Sequence, residues 1–200
     1  IKAFNIPIFE KAGYEADDII GTLSKKAEKE GFTTFMMTPD KDFGQLVSEN
    51  IFIYKPAKGG EPAKVLGLKE VCEKFGIKRP EQVIDILGLW GDASDNIPGI
   101  HGIGEKTASK LIAEYDSVEN VIANADKLKG KMRENVINNA HKGIMSKQLA
   151  TIDINVPIDF DEEMLKLIAG EKKYQEIPLY KYWDNSGDQV LAYGREDLLF

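Results

Sequence analysis

Hydrophobic residues follow two different periods along the chain, and the change divides it into two parts. Apolar residues recur at helical spacing between Ala16 and Glu30, which predicts a helix there. Runs rich in β-forming residues flank it at 4–10 and 32–38, and a third such run covers 51–54 after a short helical piece at 43–47. A strand, a helix and a strand at this spacing predict a βαβ unit with parallel strands and a right-handed crossover.

The pattern becomes helical almost throughout after a turn-rich connector at residues 55–62. Helices are predicted at about 68–75, at 80–90 with Pro80 in the first position, at 105–115, after caps at Ser117 and Asp126, at 144–151, and from a cap at Asp161 through Ala169. The sequence therefore predicts an α/β part over 1–60, a helical part over 61–170, and a tail over 171–200 whose pattern predicts no structure.

Composition and charge narrow the classes of function. The formal net charge of −7 argues against indiscriminate nucleic-acid binding but leaves room for a local basic face. No apolar run is long enough to span a bilayer, so no membrane partner is expected. Cys72 is the single cysteine, which excludes an internal disulfide and suits a reducing cytoplasm. Because the chain starts without a methionine, we expect it to begin inside a larger protein.

Seven carboxylates fall at three junctions between regular elements and loops. They are Glu15, Asp17 and Asp18 at the first helix, Asp40 and Asp42 after the second strand, and Asp92 and Asp95 in the turn after the 80–90 helix. Taken singly, each cluster has a structural interpretation, since acids complement helix N-termini and Asp is common in turns. Taken together, they suit Mg²⁺, which prefers carboxylate oxygens and leaves positions open for phosphate. Without a metal, neighbouring carboxylates would force one another to protonate.

A glycine-rich hairpin at residues 99–104 follows the last acidic turn and leads into a helix. The first N–H groups of a helix lack intrahelical partners, so the hairpin and helix offer an anion site, to which Lys106 and Lys110 add charge. The predicted DNA-binding residues are Gly99, Gly102, Ile103, Gly104, Lys106, Thr107 and Lys110. Such a site contacts the phosphate backbone without reading bases. The structural alternative is a glycine-capped junction between two helices.

Three segments carry a family resemblance. GYEADDIIGTLS, TPDKDFGQLV and GDASDNIPGIHGIGEKTASKL resemble, in the same order, segments of the 5′-nuclease family, which includes the 5′-nuclease region of bacterial DNA polymerase I, phage 5′-exonucleases and flap endonucleases. The likeness covers most of residues 5–165. It implies an α/β fold of the PIN/5′-nuclease type, with a partial parallel sheet and helices, followed by a helical helix–hairpin–helix (H3TH) subdomain.

The resemblance also implies chemistry. It makes the seven carboxylates ligands of two Mg²⁺ or Mn²⁺ ions, with Asp40, Asp42 and Asp92 catalytic, and it implies K⁺ at the hairpin carbonyls. The expected activity is two-metal hydrolysis of duplex DNA at 5′ ends or flaps, in primer removal and repair, with the remainder of a DNA polymerase I chain as partner. The family carries a further first-strand Asp and a basic helical arch ahead of GYEADD. Neither is in this chain, so we expect it alone to bind metal and DNA without useful turnover, and to self-associate through an open sheet edge.

Three alternatives stay open at this stage. The chain could belong to a stand-alone 5′-nuclease, which the parent reading frame would distinguish. It could be a non-catalytic DNA-binding module, although a pure binder would gain from losing acids that repel phosphate. It could be a metal-dependent hydrolase of small substrates, for which the hairpin would have no purpose. The sequence also leaves open whether Lys41, between two acids, contacts phosphate or is simply solvated.

Overall fold

The computed structural model describes residues 6–165 and 197–199, which form two compact units that alternate along the chain. The described part of the first unit comprises 6–39, 50–65, 153–165 and 197–199, and the second comprises 40–49 and 66–152. The regular elements are α1 (Ala16–Lys29), β1 (Thr33–Met37), β2 (Ile51–Lys55), β3 (Lys64–Leu66), α2 (Leu68–Phe75), α3 (Val83–Trp90), α4 (Glu105–Tyr115), α5 (Val118–Ala123), α6 (Gly130–Ala150), α7 (Glu162–Leu165) and β4 (Asp197–Leu199), with 3₁₀ helices at Asp42–Leu46, Pro80–Gln82 and Ala125–Lys127. The sequence-based division at residues 60 and 170 stays a prediction.

A four-stranded sheet with the order β3-β2-β1-β4 forms the centre of the first unit. β1 runs parallel to β2, with Phe35 opposite Phe52 and their rings stacked at 5.5 Å. β1 is also parallel to β4. Met36 and Ile51 are fully buried, as expected for a strand pair covered on one face. The predicted α/β class with a partial parallel sheet is confirmed.

The predicted strand at 4–10 is wrong over residues 6–10, which have no regular structure, and residues 4 and 5 lie outside the described residues. Pro7 lacks the N–H that a ladder requires. Phe9 packs against a buried cluster of Ile19, Leu23 and Val156, so its hydrophobicity reflects packing on α1 rather than pairing. The predicted βαβ unit with α1 between its two strands is therefore wrong over the described residues, and the parallel pair β1–β2 is connected through the 3₁₀ helix Asp42–Leu46 instead.

Three of the predicted helices of the second unit are confirmed to within a residue. α2 and α4 have the predicted bounds, and Ser117 caps α5 by accepting a hydrogen bond from the Asn120 N–H. The helix predicted from Pro80 starts as a 3₁₀ turn and becomes α3 at Val83. α3 is the centre of the core because its apolar side chains are almost entirely buried. A Cβ at Gly88 would lie 2.9 Å from Val118, which shows how closely α3 meets its neighbours.

The predicted cap at Asp126 is wrong. Asp126 lies within a 3₁₀ helix and pairs with Arg133, and α6 begins at Gly130. The separate helix predicted at 144–151 is the second half of α6, which has a kink at Asn139 (φ −121°, ψ 19°). This continuity has no signal in the sequence, because the first half of α6 is polar and largely exposed and so lacks an apolar period.

The predicted helix cap at Asp161 is confirmed. Asp161 caps α7 by accepting a hydrogen bond from the Glu163 N–H, while the predicted extension through Ala169 and the tail at 171–200 lie outside the described residues, β4 excepted. Within 6–165 and 197–199, no helix combines the length and the hydrophobicity that crossing a bilayer requires.

Candidate metal centre and DNA-binding hairpin

Three of the predicted ligands meet in the second unit. Asp42, Asp92 and Asp95 each present a carboxylate oxygen, and these oxygens lie within 4.8 Å of one another. Asp42 and Asp92 are buried, at 7% and 6% exposure, whereas Asp95 is exposed. The group therefore has a buried floor and an open side.

Local backbone geometry positions the two buried acids. Asp42 opens the 3₁₀ helix Asp42–Leu46, and its N–H donates to Asp40 Oδ1 at 2.9 Å. Asp92 and Ile97 form an antiparallel bridge, with N–H to carbonyl distances of 2.9 and 2.7 Å. Hydrogen bonds from backbone N–H groups therefore fix the turns that carry Asp42 and Asp92, and the carboxylate of Asp42 can face the other two acids.

The two buried acids differ in their hydrogen-bond donors. Burial alone would raise the pKa of Asp92, but donors from Lys41 and Ser94 hold it below the ordinary value. Burial raises the pKa of Asp42 to about 7, and the charge of Asp40 adds to this. Asp42 Oδ1 is buried without a hydrogen-bond partner. Burying a carboxylate oxygen without a hydrogen-bond donor costs free energy, so a cation bound at this atom would be stabilising.

The group fits a divalent metal ion. Mg²⁺ binds oxygens at about 2.0–2.1 Å in an octahedron, so oxygens on opposite sides lie roughly 4.2 Å apart. Oxygens at adjacent positions lie roughly 3.0 Å apart, so oxygens within 4.8 Å of one another must approach by up to about 1.8 Å to share one ion, a shift that side-chain rotation supplies. The orphaned Asp42 Oδ1 supplies a ligand, and the exposed side at Asp95 leaves room for water or phosphate.

Lys41 is part of this group rather than simply solvated. Its ammonium donates to Asp92 Oδ2, lies 3.9 Å from Asp42 Oδ1, and sits 5.7 Å from the centre of the Trp90 ring. Burial would lower the pKa of Lys41, but the hydrogen bond to Asp92 and the charge of Asp42 raise it above the ordinary value. The side chain is 24% exposed.

The remaining predicted ligands are not in the three-residue group. Asp40 is beside it in the chain, and its Oδ1 accepts the Asp42 N–H. Glu15, Asp17 and Asp18 lie in the first unit. Asp18 accepts the N–H of Glu15 at 3.2 Å and that of Asp153 at 2.9 Å, so it caps α1 and ties the 153 segment to that helix. A ligand role for these four residues stays a prediction.

Sequence reasoning missed Gln45, which connects the acidic turn to the end of α6. Its Nε2 donates to the carbonyls of Asp42 and Ala150, both at 2.9 Å, and its Oε1 accepts the Ile152 N–H at 3.0 Å. An amide placed among apolar residues, as in FGQLV, was the available signal, because a buried amide normally has hydrogen-bond partners.

Gln45→Leu is expected to lower the free energy of unfolding by about 2 kcal/mol, because it removes three hydrogen bonds and leaves backbone groups without partners. Urea denaturation measures this directly. Gln45→Glu keeps the acceptor but loses both donors, so it should also be destabilising. Stability equal to that of the unmodified chain in both variants would contradict a positioning role.

Without divalent metal, the chain is expected to lose stability as pH rises from 5 to 8. The pKa of Asp42 is about 7 in the folded chain against 3.8 ordinarily, so the folded state binds more protons between these values and is favoured at the acidic end. Asp42→Asn should remove this pH dependence. Relative to the unmodified chain, the free energy of unfolding of the variant should therefore rise by on the order of 2 kcal/mol between pH 5 and pH 8. Urea denaturation in chelator at both pH values tests this, and a difference between the two proteins that does not vary with pH would refute it.

The hairpin at 99–104 is held tightly to α3 and α6. Gly99 has φ +60°, and its N–H donates to Ser146 Oγ at 2.9 Å in the buried interior. The Ile100 N–H donates to the Leu89 carbonyl at 2.8 Å. Ile100 and Ile103 are 2% and 4% exposed, so their side chains anchor the hairpin in the interior.

The seven predicted DNA-binding residues divide by burial. Gly99 and Ile103 are buried and hold the hairpin, Thr107 is half-buried, and the exposed members are Gly102, Gly104, Lys106 and Lys110. Gly104 differs from Gly99 and Gly102, because it has φ −96° and open space around it. A Cβ at Gly102 would meet Asn135 Nδ2 at 2.7 Å, so a side chain there would point toward α6.

A parallel α/β sheet, an acidic group suited to a divalent cation, and a glycine hairpin leading into a helix together define the class of metal-dependent 5′-nucleases. Residues 1–76 match the family "5′-3′ exonuclease, N-terminal resolvase-like domain", and residues 78–173 match "5′-3′ exonuclease, C-terminal SAM fold". The chain belongs to the 5′-3′ exonuclease family.

Curated relatives and solved structures agree with this assignment. DNA polymerase I of Bacillus caldotenax is 40% identical over 182 residues, which is 90% of this chain and 20% of that protein, so the chain spans about a fifth of its relative. T5 5′-exonuclease with bound zinc ions has a TM-score of 0.64 at 21% identity, covering 81% of this chain and 57% of that one. A T5 D15 flap endonuclease variant solved with DNA and metal ions has a TM-score of 0.62 at 21% identity, covering 80% and 56%. At this identity the structures support the fold alone.

Proposed function

We propose that this chain supplies the metal-binding and DNA-binding parts of a 5′-3′ exonuclease or flap endonuclease that hydrolyses DNA phosphodiesters. The observation that carries the proposal is the group of Asp42, Asp92 and Asp95, with the buried Asp42 Oδ1 that has no hydrogen-bond partner. A DNA-binding module would have no use for such a group, because it repels phosphate.

Asp42, Asp92 and Asp95 would hold a divalent ion, the first two being buried and Asp95 exposed. When bound, the ion polarises a phosphate oxygen and makes water a stronger nucleophile near neutral pH. Ser94 keeps Asp92 ionised and oriented through two hydrogen bonds at 3.0 and 2.6 Å. Gln45 fixes the Asp42 turn. Mg²⁺ and Mn²⁺ suit these oxygen ligands.

The second ion that the family resemblance implies stays a prediction, and so do the ligand roles of Glu15, Asp17, Asp18 and Asp40. Asp18 would have to give up its hydrogen bonds to the N–H groups of Glu15 and Asp153 to act as a ligand.

The hairpin contacts the DNA backbone through exposed groups at the start of α4. The N–H groups of Glu105 and Lys106 lie in the first helical turn, where no helical carbonyl precedes them, and Lys106 and Lys110 are exposed one turn apart. These donors bind phosphate oxygens without reading sequence, which suits an enzyme acting at any 5′ end or flap. The hairpin carbonyls would hold K⁺.

The similar proteins support a proposal about the larger protein to which this chain belongs and the process in which it acts. We propose that the chain is part of a DNA polymerase I that acts in primer removal and repair in the bacterial cytoplasm, since the matching proteins are bacterial DNA polymerases I. Self-association of the chain stays a prediction, and the open edge that motivated it is absent from residues 6–10, where no strand forms.

The test is cleavage of end-labelled DNA carrying a 5′ flap, with Mn²⁺, by the protein expressed at the full length of its gene. We expect metal-dependent cleavage that Asp92→Asn abolishes. The chain alone should cut more than roughly tenfold more slowly if the family's further Asp and arch are needed to place the metal ions. Equal cleavage by the Asp92→Asn protein, or none by the unmodified full-length protein, would contradict the proposed activity.

A further inference from the structure

The ammonium of Lys41 lies beside the two buried carboxylates of the acidic group, Asp42 and Asp92. Its ammonium contacts Asp92 and faces the buried Asp42 Oδ1 at 3.9 Å, which is beyond hydrogen-bond distance. It lies over the Trp90 ring at 5.7 Å, a distance at which the ring face also attracts a cation. The lysine therefore balances the acidic group from inside the same unit.

The fit of Lys41 is incomplete, and this makes it replaceable. One positive charge faces Asp42 and Asp92, and the ammonium leaves Asp42 Oδ1 without a hydrogen bond. A divalent ion carries twice the charge and can coordinate all three oxygens at once. Lys41 has a flexible stem and a side chain that is 24% exposed, so it can leave the group without unfolding its turn.

We propose that Lys41 is a built-in competitor of the metal ion, which neutralises the acidic group of Asp42, Asp92 and Asp95 until a divalent cation displaces it. The inference rests on the proposed metal site. It adds that the apparent metal affinity is lower than the carboxylates alone would give, because binding must first break the Lys41–Asp92 ion pair. The residue tunes metal occupancy and is not itself a ligand.

The proposal predicts that removing the lysine strengthens metal binding, whereas loss of a purely structural residue would weaken it. We expect Lys41→Met to bind Mn²⁺ about tenfold more tightly than the unmodified chain in calorimetric titration, since a tenfold change corresponds to the modest free energy of one partly exposed ion pair. Lys41→Arg, which keeps the charge, should bind Mn²⁺ about as the unmodified chain does.

Lys69→Met is the matched control because it removes the same charge from an exposed pair with Glu73, where the lysine side chain is 78% exposed. It should leave the Mn²⁺ affinity unchanged. If Lys41→Met fails to fold without metal, NMR of the unmodified chain gives a second test. The Lys41 side-chain ammonium signal should move as Mg²⁺ is added, in step with the filling of the site.

Each outcome decides between the proposals. Tighter binding by Lys41→Met, including binding where the unmodified chain shows none, supports the inference. Equal or weaker binding by Lys41→Met beside clear binding by the unmodified chain overturns the inference and leaves the metal site intact. A Lys41 signal that stays unchanged at saturating Mg²⁺ also overturns it. Absence of binding in both proteins overturns the proposed metal site and this inference with it.

Discussion

Gly99→Ala is expected to lower the free energy of unfolding by about 3 kcal/mol or more. Gly99 has φ +60°, which alanine adopts only with strain, and its added Cβ would lie 2.4 Å from the Gly91 nitrogen and 2.5 Å from the Trp90 carbonyl carbon. These neighbours are backbone atoms, so they cannot rotate away. The substitution would also strain the buried hydrogen bond from Gly99 to Ser146.

Gly104→Ala is the matched control in the same hairpin. Gly104 has an extended backbone at φ −96°, and a Cβ there meets no atom within 4 Å. We expect its stability to lie within about 0.5 kcal/mol of the unmodified chain. Urea denaturation of both variants measures the contrast, and two equal losses of stability would show that the close backbone approach at Gly99 is not what fixes the hairpin.

The helical part of the fold was predictable because its elements carry local signals. Gly76 and Gly104 bound α2 and α4, and the apolar face of each helix repeats at helical spacing. α6 was missed in part because its first half is polar, and its continuity depends on packing that no local pattern encodes. The segment at 6–10 was mistaken for a strand because its apolar residue Phe9 packs on α1 and does not belong to a strand.

The candidate site was partly predictable for a similar reason. The positions of Asp42, Asp92 and Asp95 at junctions pointed to a shared site, and the structure brings these three together. The sequence could not distinguish them from Asp18, which satisfies backbone N–H groups instead. Nor could it place Lys41 inside the group or Gln45 across it, because both contacts join segments far apart in the chain.

Replacing Asp42 and Asp92 together by Asn is expected to cause a large loss of metal affinity. The double variant keeps the size of both side chains but removes the two buried charges of the metal site. Substitutions that only support a ligand commonly reduce metal affinity 10–100-fold, so loss of two ligands should cost roughly a hundredfold or more. The variant should stay folded, because the pKa of Asp42 is raised by its burial and by the charge of Asp40, so a neutral side chain at this position removes an unfavourable buried charge.

Glu61→Gln/Glu73→Gln is the matched control for charge, since it changes the net charge equally at two exposed side chains, at 75% and 68% exposure. It should bind metal as the unmodified chain does. A loss of affinity in this control would mean that overall charge, rather than the acidic group, attracts the cation.

The most direct measurement of the central claim is a calorimetric Mn²⁺ titration of the unmodified chain, the Asp42→Asn/Asp92→Asn variant and the charge control, side by side at one pH and ionic strength. We expect saturable binding by the unmodified chain and the control, and no measurable binding, or binding weakened roughly a hundredfold, by the double variant. Equal binding by all three proteins would contradict the assignment of the metal site to Asp42, Asp92 and Asp95.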